Sequence, residues 1–171
     1  MTRPPGPWVG VRDVTELKQQ PDVFWLGAHG GAGTTTLRTI AAQRDIASIT
    51  TRRWPRYASG ELSPVVLVAR THAVGLWHVQ RVVQEWASGM VDFVDLHGLV
   101  LLPDAPGAPP KDLREQIASV SALVPLTWTI SWQPRWRTVV PGSVYPLDAR
   151  TKLVMGRIRR SLHKKQAPTT T

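Results

Sequence analysis

The sequence has no cysteine, which excludes a disulfide framework and a thiolate metal site. Its five histidines are dispersed without metal-ligand spacing, which argues against a structural zinc site. No stretch approaches the roughly 18 uninterrupted apolar residues of a spanning helix. The first residues also lack the apolar segment of a secretory signal. We therefore expect a cytoplasmic protein.

Acidic residues are absent from the last part of the chain. Residues 149–171 carry seven of the 21 Lys and Arg residues and none of the 12 Asp and Glu residues. The pattern predicts a helix over 148–165, capped by Asp148, with an apolar stripe on one side. Its basic side is either an anion-binding surface or a solvated helix face. The basic residues expected to face solvent are Lys152, Arg157, Arg159, Arg160 and Lys164.

The length of 171 residues and the hydrophobic content of 42% predict one folded domain. We expect a flexible arm over residues 1–10, a single domain over 11–165 and a disordered tail over 166–171. Apolar runs predict strands at 22–26, 64–70, 97–102 and 126–132. Amphipathic patterns predict helices at 34–44 and 76–88 and a third helix from Pro110. This alternation favours a three-layer α/β sandwich with a mostly parallel sheet, whereas residues 45–63 have no clear pattern.

Residues 23–37 combine an apolar run, a glycine-rich turn and a threonine-rich helix start, which is the layout of a phosphate-binding loop. The lysine that should follow the last glycine is missing, because Thr34 stands there. Either the loop binds phosphate without its main charge, or its glycines serve only tight helix–strand packing. The residues predicted to contact phosphate are His29, Gly30, Gly31, Gly33, Thr34, Thr35 and Thr36.

Parallel strands bring the loops at their carboxyl ends to one edge of a sheet. We therefore expect a shared rim around the glycine loop, where Arg70, Arg135 or Arg137 would restore some of the missing charge. His72 is interpreted as a hydrogen-bonding group at a helix start or, alternatively, as a base. The predicted rim residues are Arg70, Thr71, His72, Asp104, Arg135 and Trp136.

Eight tryptophans are many for a chain of this length. Trp25, Trp77 and Trp86 fall within predicted helices and strands, so we expect them in or near the core. Trp132 and Trp136 are interleaved with Arg135 and Arg137, a pattern that is compatible with stacking on a base or on a partner's side chain. The alternative is that these two side chains line one end of the core.

The loop and the order of the predicted elements resemble the ParA/MinD-like branch of the P-loop NTPases. That family's loop is typically Lys-Gly-Gly-x-Gly-Lys-Thr-Thr, and residues 29–36 are His-Gly-Gly-Ala-Gly-Thr-Thr-Thr. Both lysines are replaced, and the segment that should hold two further strands before Val65 is shortened. The resemblance covers about residues 22–163. The chain also resembles small actinobacterial proteins of unknown function with a lysine-less loop.

The resemblance implies a P-loop NTPase-like fold that binds ATP or GTP with magnesium, with Thr35 as the metal ligand. By the same resemblance, Asp104 is a magnesium-side acid or lies nearer the nucleotide base. The missing lysines imply a protein that is not a competent NTPase and acts by binding, as an accessory or regulatory partner of another protein.

Two other functions remain open. One is an active NTPase that takes a cation in trans from a homodimer partner. The other is a DNA-binding accessory protein of a partition or conjugation system, which would bind nucleic acid through the C-terminal helix. Membrane binding is disfavoured, because Leu153 is the only apolar residue on the basic side of that helix.

Overall fold

The computed structural model describes residues 8–15 and 17–166 of the chain. These residues form strands β1 (Val11–Val14), β2 (Val23–Gly27), β3 (Ser48–Thr51), β4 (Trp54–Tyr57), β5 (Ser63–Arg70), β6 (Val94–Leu102) and β7 (Thr127–Thr129). The helices are α1 (Thr34–Ala42), α2 (Ala73–Ala87), α3 (Lys111–Ser121) and α4 (Ala149–Gln166), with a 3₁₀ helix at Pro134–Thr138. No helix among the described residues has the length and apolar character needed to cross a bilayer.

Five strands form one parallel sheet in the order β3-β2-β5-β6-β7. Numbered along the chain within this sheet, the order is 2-1-3-4-5, which is a doubly wound arrangement. The order reverses between β2 and β5, and ligands of such sheets bind outside the carboxyl ends of the strands at that switch point. Strands β1 and β4 form a separate two-stranded parallel sheet.

Helices cover both faces of the five-stranded sheet. Leu37 of α1 and Ile158 of α4 pack with Val66 and Val68 on one face. On the other face, Leu76 of α2 packs with Leu67. Helix α3 and the small sheet belong to the same core. The continuous apolar run of β5 therefore sends alternate side chains into two cores, as strands buried on both faces do. The expectation of an α/β fold with a mostly parallel sheet is confirmed.

The small sheet was not predicted, and it occupies part of the unassigned segment 45–63. Trp54 in β4 is fully buried, and its Nε1 donates a hydrogen bond to the Glu85 carboxylate at 2.9 Å. The same carboxylate accepts the backbone N–H of Val9 at 3.1 Å, and Gly10 accepts the N–H of Trp54. Residues 8–10 of the predicted arm are thus packed against the domain.

The predictions for the chain ends fall mainly outside the described residues. Residues 1–7 of the arm and 167–171 of the tail are not described, and Gln166 is the last residue of α4. Within the domain, β7 covers only Thr127–Thr129 of the strand predicted over 126–132.

Gly98 permits the close approach of β6 to the segment that enters β7. A Cβ atom there would collide with the backbone oxygen of Leu126 and lie 2.7 Å from a ring carbon of Trp128. We expect Gly98→Ala to lower the free energy of unfolding by about 1–3 kcal/mol, because backbone atoms have to move. Urea denaturation measures this effect.

Gly156 in α4 provides the matched control. The nearest atom that a Cβ would meet there is a guanidinium nitrogen of Arg160 at 3.7 Å, which is ordinary contact. Gly156→Ala should therefore raise the free energy of unfolding by up to about 1 kcal/mol through helix propensity. Equal effects of the two substitutions would contradict this account of the close approach at Gly98.

Candidate functional site

An open cleft of about 420 Å³ lies at the carboxyl edge of the sheet, at the switch point between β2 and β5. Gly31 and Thr36 form one side of the cleft, and Arg70 and His72 follow β5 into it. The rest of its lining comes from the ends of β6 and β7 and from the segment beyond, namely Leu102, Pro103, Asp104, Ser131, Trp132, Gln133, Trp136, Arg137 and Tyr145. The sheet therefore brings most of the predicted rim together.

The glycines of the loop differ in what they do. Gly33 has a φ of +101°, and a Cβ there would lie 2.5 Å from the Leu102 side chain. Gly33 is thus required for both the left-handed backbone and the packing on β6. Gly31 also has a positive φ, of +74°, but a Cβ there would meet no atom within 4 Å. Packing against Leu102 therefore explains why position 33 is a glycine. Packing does not explain Gly30 and Gly31, because both are exposed.

His29 holds the glycine loop to β5. Its Nε2 accepts the backbone N–H of Arg70 at 3.1 Å, and its Nδ1 lies 2.8 Å from the carbonyl oxygen of Gly30. Both contacts are satisfied by a neutral imidazole with its proton on Nδ1. Burial lowers the pKa of His29, which favours that neutral form. In this arrangement neither nitrogen is available to a phosphate, so the structure does not support the prediction of His29 as a phosphate contact.

Gly75 lets α2 begin directly against this histidine. A Cβ at Gly75 would lie 2.6 Å from the carbonyl oxygen of Arg70 and 2.9 Å from Nε2 of His29. His72 caps the same helix, because its Nδ1 accepts the N–H of Gly75 at 2.9 Å. The structure thus favours the interpretation of His72 as a hydrogen-bonding group at the helix start.

Arg70 carries a positive charge into the cleft. Its Nη1 donates to the carbonyl oxygen of Pro103 at 3.0 Å, and its Nε donates to that of Gly31 at 3.4 Å. The ion pairs within the described part of the chain do not involve Arg70. Its guanidinium therefore bridges the glycine loop and the end of β6 without a neutralising carboxylate.

Two aromatic side chains form the opposite wall of the cleft. Gln43 exchanges two hydrogen bonds of 3.0 Å with the backbone of Tyr145 and fixes its position. The Tyr145 hydroxyl lies 3.4 Å from Oγ1 of Thr36, and its ring meets the ring of Trp136 edge to face at 5.5 Å. The indole N–H of Trp136 donates to the carbonyl oxygen of Pro146 at 2.8 Å. Tyr145 and Gln43 had no signal in the sequence, because their pairing joins residues 102 positions apart.

The remaining predicted residues have mixed outcomes. Oγ1 of Thr71 accepts the backbone N–H of Asp104 at 3.2 Å and so holds the turn after β6. Thr35 is exposed in the first turn of α1, and Thr34 lies on the β3 side of the loop. Arg135 does not line the cleft, although Arg137 does, because the two side chains point differently from the 3₁₀ helix.

Two of the tryptophans that were expected in or near the core differ in their exposure. Trp25 is fully buried as expected, but the expectation for Trp77 is wrong, since it lies on the outer surface of α2 and is 51% exposed. Of the residues that the structure describes, Asp104 is the one acidic residue that lines the cleft. Among the described residues, no group of three His, Asp or Glu side chains is placed to hold a metal ion.

Helix α4 exposes to solvent the five basic residues predicted to face it, Lys152, Arg157, Arg159, Arg160 and Lys164. Beside α4 lies a groove of about 650 Å³, which we call the α4 groove, and Arg44 from the end of α1 contributes to it. Its lining contains no acidic residue and consists of Arg44, Met155, Gly156, Arg159, Arg160, His163 and Lys164. Lys152 and Arg157 are exposed but do not line the groove, and Leu153 is 52% exposed.

Residues 22–153 match the model of a protein family of unknown function, DUF6668. This match covers most of the chain, which therefore belongs to that family. No curated protein and no solved structure matches the chain.

The neutral state of His29 predicts a pH dependence of stability. In the unfolded chain its pKa returns to about 6.5, whereas burial lowers it in the fold. Below about pH 6.5, His29 therefore binds a proton in the unfolded state. In the folded state it stays neutral until the pH approaches its lowered pKa. The free energy of unfolding should fall as the pH decreases toward the lowered pKa. His29→Gln, which does not titrate, should show a flatter dependence between pH 7.5 and 5 in urea denaturation.

The control for this prediction is His163→Gln, which removes an exposed histidine of α4. It should keep the pH dependence of the parent protein. If both variants show the same pH dependence, His29 does not contribute the effect.

Proposed function

We propose that this member of the DUF6668 family is a phosphate- or nucleotide-binding protein that does not hydrolyse its ligand and acts as an accessory or regulatory partner. One observation carries the proposal. The glycine loop before α1 and the unneutralised Arg70 meet in a single cleft at the switch point of a doubly wound sheet. Ligands of such sheets bind at that place.

The electrostatics of the cleft favour an anion. The start of α1 carries the partial positive charge of a helix N-terminus, and Thr36 offers a hydroxyl in the first turn. Arg70 and Arg137 add two full charges, against one from Asp104. Gly30 and Gly31, whose backbone N–H groups would contact the anion, are exposed residues.

The aromatic wall favours a nucleoside over a bare phosphate. Trp132, Trp136 and Tyr145 line the cleft, and the Tyr145 hydroxyl lies 3.4 Å from Oγ1 of Thr36. A base can stack on such rings, and base–aromatic stacking contributes about 1–3 kcal/mol per base. ATP or GTP is therefore the ligand class that we propose, with the base toward the aromatic wall and the phosphates toward the loop.

The same residues argue against efficient hydrolysis. The loop has no lysine to stabilise charge on a transferred phosphoryl group. Each lost charge-assisted contact is worth about 1.5–3 kcal/mol, which is about tenfold or more in affinity. Thr35, the predicted magnesium ligand, does not line the cleft with Asp104. An active enzyme would therefore need a magnesium-side acid as well as a cation in trans from a homodimer partner.

A lysine at position 34 should strengthen phosphate binding. Thr34→Lys places an ammonium at the first residue of α1, where it can contact a phosphate on the loop. We expect affinity for ATP to rise by about 1.5–3 kcal/mol, measured by isothermal titration calorimetry. Thr39→Lys adds the same charge to α1 beyond its first turn and should raise affinity much less.

The outcome of this pair separates the two interpretations of the glycine loop. No gain from Thr34→Lys in a folded variant, together with no binding of ATP by the parent protein, would favour glycines that serve only packing. ATP or GTP turnover by the parent protein above that of Thr35→Ala would refute the proposal that the chain is not a competent NTPase.

Exposed apolar side chains support a protein partner. Val74 is 60% exposed and Trp77 is 51% exposed, and both line a groove of about 700 Å³ between α2 and α3. Asp112 and Glu115 lie at the same groove, which gives it a polar, acidic rim. Interaction sites in soluble proteins commonly combine these two features.

A second candidate function is binding of nucleic acid through α4. The observation that favours it is the α4 groove, where Arg44 joins three basic residues of the helix without an acidic neighbour in the lining. A continuous basic surface of this kind binds phosphates of DNA or RNA regardless of sequence.

Substitution of the α4 groove tests this function. The triple variant Arg159→Gln, Arg160→Gln and Lys164→Gln should bind duplex DNA more weakly at all sequences. The plot of log affinity against log salt should flatten by about 0.9 per lost phosphate contact, measured by fluorescence anisotropy. The control variant changes Lys18, Lys111 and Arg114 to Gln. It removes the same total charge outside the α4 groove, so the slope of this plot should stay unchanged. Equal slopes in the two variants and the parent would leave α4 as a solvated face.

A further inference from the structure

A second concave site lies on the other side of the glycine loop. This arginine pocket has a volume of about 350 Å³. Its lining comes from β1, the start of α1, the end of β3 and the turn before β4, and consists of Arg12, Thr34, Thr50, Thr51, Arg52 and Arg53. Three arginines therefore surround the first residue of α1, which is the position where phosphate-binding loops have their lysine.

The sheet order explains why the loop has two sides. Strand β2 lies between β3 and β5, so the loop that follows β2 is flanked by the ends of both neighbours. The cleft lies on the β5 side and includes Gly31, whereas the arginine pocket lies on the β3 side. A Cβ at Gly30 would lie 3.5 Å from Nη1 of Arg52. Consecutive glycines of one loop thus contact the two sites.

The arginines are positioned by regular structure. Oγ1 of Thr51 donates to the carbonyl oxygen of Arg53 at 2.6 Å and accepts its N–H at 3.1 Å, which fixes the turn between β3 and β4. The pairing of β1 with β4 places Arg12 opposite Pro55. The pocket lining has no carboxylate, and none of its arginines forms an ion pair within the described part of the chain.

The two sites are close enough for one ligand. Thr34 lines the arginine pocket and Thr36 lines the cleft, and both belong to the first turn of α1. A Cβ at Gly30 would lie 3.5 Å from Nη1 of Arg52. Nε of Arg70 lies 3.4 Å from the carbonyl oxygen of Gly31. The two guanidinium groups therefore contact adjacent residues, whose Cα atoms are about 3.8 Å apart, and a chain of two or three phosphates can span this distance. Arginine suits the end of such a chain, because its planar guanidinium can bind two phosphate oxygens at once.

We propose that the arginine pocket binds the terminal phosphates of a nucleoside di- or triphosphate whose nucleoside and first phosphate occupy the cleft. This inference rests on the proposed function of the cleft. It assigns to Arg52 and Arg53 the charge that the missing lysine would supply, and it makes the ligand a polyphosphate rather than a monophosphate.

Binding of AMP, ADP and ATP to the full chain tests the inference. In isothermal titration calorimetry, the parent protein should prefer both ADP and ATP to AMP, ATP by about tenfold or more, because AMP has no phosphate that reaches the arginines. The double variant Arg52→Gln and Arg53→Gln should lose this preference and bind AMP as the parent does. Arg38→Gln, which removes an exposed charge from α1 outside the pocket, should keep the preference.

A probe without a base and a cleft variant separate this inference from the proposed function. Inorganic tripolyphosphate should compete with ATP for the parent protein, and the double variant should abolish that competition. Arg70→Gln should weaken AMP and ATP alike. Equal affinity of the parent for AMP and ATP, or equal losses for both in the double variant, would overturn the inference and leave the cleft as a nucleotide site. Failure of the folded parent to bind any of the four probes would overturn both.

Discussion

The contact on which the site depends is the buried imidazole of His29. It joins the carbonyl oxygen of Gly30 to the backbone N–H of Arg70 and so ties the loop after β2 to the end of β5. Gly75 leaves the space for the ring, and the Arg70 side chain extends the link to the end of β6. A neutral side chain can do this where a lysine could not, since lysine has no acceptor for the N–H of Arg70.

In this arrangement the positive charge beside the loop comes from residues of neighbouring segments, not from the loop itself. A P-loop lysine is supplied by the loop's own sequence, but Arg70 and Arg52 reach the glycines from β5 and from the turn after β3. Their placement depends on the sheet order and on two separate turns. The positive charge around the glycine loop is therefore a property of the assembled fold, and loss of packing at β3 or β5 would displace it without any change in the loop.

Periodic and continuous apolar patterns predicted most of the fold. The runs of β5 and β6 and the amphipathic α2 and α4 carry strong local signals, and Asp148 accepts the N–H of Thr151 at 2.8 Å as a helix cap should. The small sheet had no such signal, because β1 pairs with β4 about 43 residues later along the chain and β4 contains Pro55. The location of the site was predicted, because parallel strands bring the loops at their carboxyl ends together. The places of Arg52 and Tyr145 at the site were not predicted, because they depend on contacts that no local pattern reveals.

The two cationic surfaces that we propose as binding sites differ in shape. The arginine pocket is concave, adjoins a helix N-terminus and has room for a compact anion, whose few phosphates make several contacts each. The α4 groove follows the side of a helix and adjoins further exposed basic residues, so a long polymer gains more from it than a small anion does. A polymer that binds releases counterions in proportion to the number of its phosphates that contact the surface. Its affinity therefore falls steeply as the salt concentration rises. A nucleotide held by a few directed contacts in a cleft has a weaker salt dependence, so the salt dependence of binding distinguishes the two proposed sites.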